Sequence, residues 1–85
     1  MKRRVRLSKH AEQQLRERNI DRQLVEETLE NPGQVISAGK NRKIAQSIYE
    51  REGREFLLRV VFSEEADPGV ITAYWTSRKS RYWRD

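Results

Sequence analysis

The chain has no cysteine, so it has neither a disulfide frame nor thiolate chemistry, and a reducing cytoplasm is its expected setting. Its four glycines stand apart from one another, which excludes a glycine-rich loop cradling phosphates. There is one histidine, His10. Glu26, Glu27 and Glu30 form a solvated helix face without the companions of a metal site, so neither a metal nor another cofactor is expected. No serine has a recognisable base and orienting acid around it. Long hydrophobic runs are missing as well. Met1-Lys2-Arg3-Arg4 has the charged start of a leader, but no apolar stretch of the required length follows, and no segment is long enough to span a bilayer, so no membrane association is expected. What remains is 85 residues, 36% charged and 35% hydrophobic, enough for one domain over residues 1–85 with a single modest core. No internal repeat or low-complexity tract divides it.

Charge is abundant and uneven. The net charge is +5, with Lys2, Arg3, Arg4 and Arg6 at one end and Arg78, Lys79, Arg81 and Arg84 at the other. The body between is slightly acidic. Two basic ends that met would build one positive surface suited to phosphate or to an acidic protein; ends that stay apart are only solvated charge.

The most apolar stretch runs from Arg54 to Tyr82. Phe56, Leu58, Val60 and Phe62 alternate with Leu57, Arg59 and Val61, so Glu55–Phe62 reads as a central strand buried on at least one face. Arg59 is the exception within it: a charge there is paired, snorkels, or faces a site. Upstream, Val5 and Leu7 suit a short edge strand. Ser8 is a good N-cap for a helix over Lys9–Arg18, and Asp21 for a second over Arg22–Glu30, ended by Asn31-Pro32-Gly33. Gln34–Ser37 is a short candidate strand, followed by a turn at Ala38-Gly39-Lys40-Asn41. Lys43–Arg51 alternates with Ile44, Gln46 and Ile48 on one side. Gly53 supplies the left-handed turn into the central strand, Asp67-Pro68-Gly69 the next connection, and Val70–Ser77 the last long strand. The expected architecture is α+β: a short N-terminal strand and a two-helix hairpin packed on one face of a curved antiparallel sheet, β-α-α-β-β-β with one further short strand. The other face is expected to be partly bare, carrying Arg59 and, depending on register, Tyr74 and Thr76 together with Lys43, Ser47 and Tyr49.

Leu7-Ser8-Lys9-His10-Ala11 opening a helix, Glu30-Asn31-Pro32 closing the next, Gly39-Lys40 before the first long strand and Val70-Ile71-Thr72-Ala73-Tyr74-Trp75-Thr76 near the end resemble a widespread bacterial domain of unknown function. That family is grouped with the RelE/ParE-like toxins and the fold of barnase, colicin E5 and RelE. The resemblance covers nearly the whole chain and implies the same α+β layout. It also implies a metal-independent ribonuclease of a toxin–antitoxin pair, acting on free or ribosome-associated RNA and held by an antitoxin-like protein. Other members of the superfamily act on gyrase or have lost activity, which leaves a non-catalytic nucleic-acid-binding or protein-interaction module as the alternative.

Metal-independent RNA cleavage needs a base for the 2′-hydroxyl, a cation for the phosphate and an acid for the leaving oxygen. His10, in a first helical turn near Lys9 and Arg6, has the positive surroundings that favour a neutral imidazole and suits the base; otherwise it is an exposed histidine without chemical duty. Arg59 suits the phosphate clamp, or else a structural ion pair with Glu50 or Glu55. Tyr74 and Thr76 share a strand face, where a phenol and a hydroxyl can meet substrate, though aromatic and β-branched residues also serve sheet packing. Lys43 is a second cation or a solubilising charge. The tail at residues 78–85 interleaves Arg78, Lys79 and Arg81 with Tyr82 and Trp83, a composition that stacks on bases while neutralising phosphates. Equally, those rings pack back onto the sheet or edge a groove where a partner peptide adds.

Overall fold

Both helices begin where short polar side chains can satisfy free backbone N–H groups. Ser8 Oγ accepts from the Ala11 N–H at 3.0 Å to open α1 (Lys9–Glu17), and Asp21 Oδ1 accepts from the Gln23 N–H at 3.1 Å to open α2 (Arg22–Glu30). Between them Asn19 takes a left-handed φ of 53°, a conformation asparagine tolerates, and the N–H of Ile20 closes on the Leu15 carbonyl at 2.8 Å. The computed structural model describes residues 5–64 and 69–84. The Lys2-Arg3-Arg4 cluster and the Asp67-Pro68 turn lie outside the described residues.

The helices follow a two-residue strand, β1 (Arg6–Leu7), and precede β2 (Gln34–Ser37), β3 (Lys43–Arg51), β4 (Arg54–Ser63) and β5 (Gly69–Thr76), with one last helical turn, α3 (Lys79–Tyr82). The five strands make one sheet in the order β1-β5-β4-β3-β2. The α+β class and its β-α-α-β-β-β-β order are as expected, with β2 the further short strand. The expected all-antiparallel sheet is corrected at one edge. β1 pairs parallel to β5, Arg6 beside Gly69 and Leu7 beside Val70. Three hairpins step the chain back from β2 to β5, which arrives next to β1 pointing the same way. Beyond that short pairing, Arg18 covers the β5 edge, its Nη1 donating to the Ala73 carbonyl at 2.8 Å and to Thr72 Oγ1 at 3.0 Å. Such cover leaves fewer edge groups for another chain to pair with.

Glu52 and Gly53 turn β3 into β4 with φ of 52° and 78°, the pair of left-handed residues whose twist suits a two-residue hairpin. The main core lies between the helices and one sheet face: Ala11, Leu15, Ile20 and Val25 pack with Leu58, Val60, Val70 and Ala73. The other face is not bare. Leu57, Leu58, Arg59 and Val60 are all 6% exposed or less, and four consecutive buried residues in a strand require cover on both sides. The register also puts Lys43, Ser47 and Tyr49 on the helix side with Ala45, correcting their expected place beside Arg59.

Tyr49 illustrates that core. Thr28 Oγ1 donates its one proton to the Leu24 carbonyl at 2.7 Å, so Tyr49 Oη, 2.9 Å away, donates to Thr28. Burial, first, and then the nearby Glu27 charge raise the Tyr49 pKa above 10.0. A raised folded pKa gives stability that is whole below the unfolded value and is lost as pH climbs through the folded one. Between about pH 8 and about pH 11, denaturant midpoints of the wild type should therefore fall more than those of Tyr49→Phe; parallel curves would contradict the assignment.

Candidate nucleic-acid interface

One residue from each of four strands forms a polar row across the sheet. Gln34 stands opposite Gln46, Gln46 opposite Arg59, and Arg59 opposite Tyr74. Directly opposed residues project to the same face with Cβ atoms about 5 Å apart, so the side chains meet. Arg59 Nε donates to Gln46 Oε1 at 2.9 Å and Nη1 donates to Tyr74 Oη at 2.6 Å. Gln46 Nε2 donates in turn to Gln34 Oε1 at 2.8 Å.

The C-terminal segment lies over this row. Gln46 Nε2 also donates to the Tyr82 carbonyl at 3.0 Å. The Gln34 amide closes on the Arg84 backbone, accepting from its N–H at 3.0 Å and donating to its carbonyl. The Tyr82 ring centroid sits 4.0 Å from the Arg59 guanidinium carbon. Trp83 reaches Gly33, where a Cβ would come within 2.7 Å of its ring; only glycine admits that approach.

Arg59 is 6% exposed, and among the described residues no carboxylate pairs with it. Glu55 instead meets Lys79 Nζ at 2.7 Å. A buried charge is costly unless something answers it. Here two uncharged acceptors and the Tyr82 ring do so, an arrangement that leaves the positive charge itself without a counter-anion from these residues. Because Tyr74 Oη accepts from Arg59, its own proton is directed to a different acceptor.

Thr76 shares the Arg59 and Tyr74 face, and its Oγ1 accepts from the Arg78 N–H at 3.1 Å, holding the turn into α3. Trp75 faces the helix-side core instead. His10 is exposed in the first turn of α1, a helix packed on the opposite sheet face, so the sheet lies between it and Arg59. Lys43 pairs with Glu64. Arg78, Arg81 and Arg84 are exposed, whereas Tyr82 and Trp83 are half-buried and turned to the sheet. The structure thus brings Arg59, Tyr74, Thr76 and the tail together, and separates His10 and Lys43 from them.

Gln34 and Gln46 were not singled out by the sequence. One signal was there: Gln46 is the single polar residue in the row Ile44, Gln46, Ile48, and a polar side chain on an apolar stripe needs a partner. Among the described residues, no three His, Asp or Glu side chains lie together as a metal site, and no helix is long and apolar enough to cross a membrane.

A family model described as "Domain of unknown function (DUF4258)" matches residues 7–75. No curated protein and no solved structure matches the chain.

Proposed function

Because the chain belongs to the DUF4258 family, whose description names no activity, we propose from the sheet geometry that the domain binds RNA through its phosphates. Arg59 is the buried anchor, and Arg78, Arg81 and Arg84 form an exposed rim. The observation that carries this reading is the Arg59 guanidinium, buried on neutral acceptors and aromatic rings with no described carboxylate paired to it. A phosphate is the ligand that a guanidinium fork matches. Kinship with RelE/ParE-like toxins belongs to the same proposal, supported by the element order and the motif stretches between Leu7 and Thr76. So does an acidic, antitoxin-like partner for the basic rim. A second reading, metal-independent cleavage, is favoured by one observation: Tyr74 beside Arg59 retains a proton for a leaving oxygen. His10, across the sheet, takes no part in this version: the 2′-oxygen bonds to phosphorus as its proton passes to solvent water, and the 5′-oxygen leaves with the Tyr74 proton.

The test is fluorescence anisotropy with a single-stranded RNA oligonucleotide between about 50 and 200 mM salt. Wild-type affinity should fall steeply with salt. Neutralising the rim, Arg78→Gln with Arg81→Gln and Arg84→Gln, should weaken binding and flatten the log–log slope by about 2, at about 0.7 per phosphate contact. A triple variant indistinguishable from wild type, or no binding at the lowest salt, refutes the proposal. On a denaturing gel with chelator present, product from wild type and none from Tyr74→Phe would select the cleavage reading; intact RNA throughout would leave binding alone.

A further inference from the structure

We propose that Tyr82–Arg84 is an internal strap that occupies the polar row in place of RNA, so that the free domain is self-blocked and single-stranded RNA must displace it. This rests on the RNA-binding reading above. The bonds that the row donates to the strap, and the stacking on Arg59, have equivalents in a nucleotide. The Gln46 and Gln34 amides, now bonded to the Tyr82 and Arg84 carbonyls, can donate to phosphate oxygens. The guanidinium face under Tyr82 can stack on a base instead. Exchange therefore leaves no polar group of the row unsatisfied, which is the condition for one ligand to replace another cheaply.

The strap is also weakly fastened. α3, which leads into it, is four residues long, its N-terminus has no side-chain cap and none of its residues is buried, so the two half-buried rings of Tyr82 and Trp83 are the main apolar surface that opposes local opening. The Lys79–Glu55 pair that helps hold it is exposed on both sides and contributes little. While the strap is closed, Tyr82 has Arg59 on its ring at 4.0 Å and Arg81 at 5.6 Å, so the ring is engaged within the protein and Arg59 is covered. Opening frees the row while the tail cations stay on the chain.

Two variants loosen the strap without changing a cation. Tyr82→Ala removes the ring from Arg59. Gly33→Ala sets a methyl group against Trp83, where the separation would be 2.7 Å. By anisotropy each should bind single-stranded RNA about tenfold more tightly than wild type, the factor for a row free about one-tenth of the time. Equal or weaker binding in both overturns the strap. Inorganic phosphate separates this from the RNA reading. Titrated into isotope-labelled protein, it should shift the Arg59 Nε–H resonance at lower concentration in both variants than in wild type. That shift without RNA binding by any form sustains the strap and removes the RNA reading. RNA binding with no difference among the three forms in either titration does the opposite.

Discussion

Replacing Gln46 with leucine should lower the stability of the domain by about 3 kcal/mol and its melting temperature by roughly 12–24 °C. Leucine fills much the same space, so no large cavity is made at this fully buried position. What is lost is the acceptor for Arg59 Nε and the donor to Gln34 and Tyr82. The guanidinium stays buried with a donor aimed at a methyl group, and an unanswered charged donor is the expensive case. Pairing the change with Arg59→Met removes the orphan. The double variant should thus lose less than the two single losses added together, by at least about 1 kcal/mol. Strict additivity would show that the row is not one unit. The cycle also guards the functional test, since an Arg59→Met protein that fails to bind RNA is informative only if it is shown to be folded.

Leu58→Ala should cost about 3 kcal/mol by a different route, the loss of buried methyl groups with a partly unrelaxed cavity. Leu58 is 0% exposed and sits among Ala11, Leu15, Val25 and Val60 on the helix side. It is next in sequence to Arg59 but on the opposite face, so the row and its strap are untouched. Measured well below its lowered melting temperature, this variant should bind RNA as wild type does. A loss under about 1 kcal/mol would mean that the helix-side cluster is not where stability resides. Weakened RNA binding in the folded variant would mean that the two faces are coupled across the sheet.

Local signals were the legible part of the fold. Ser8 and Asp21 announce their helices because short oxygen-bearing side chains satisfy the first free N–H groups. Pro32 and Gly33 end the second helix, and Gly53 marks the tight hairpin. These depend on neighbours in sequence. The parallel β1–β5 pairing does not, since Leu7 and Val70 meet only after the helices and three hairpins have run their course.

The candidate site divides in the same way. Arg59 stood out from the sequence alone, because a charge inside a strand of leucines and valines demands an explanation wherever the strand lies. The amino-acid order likewise determined the α+β class, the basic tail and the grouping of Tyr74 with Thr76, which follow from the succession of elements, from composition and from a spacing of two along one strand. Tertiary structure decided the rest: that Gln34, Gln46, Arg59 and Tyr74 form a single row, that the tail folds over it, and that His10 belongs to the other side of the sheet. Strand register sets those relations, and register is a property of pairs of strands that no single segment encodes.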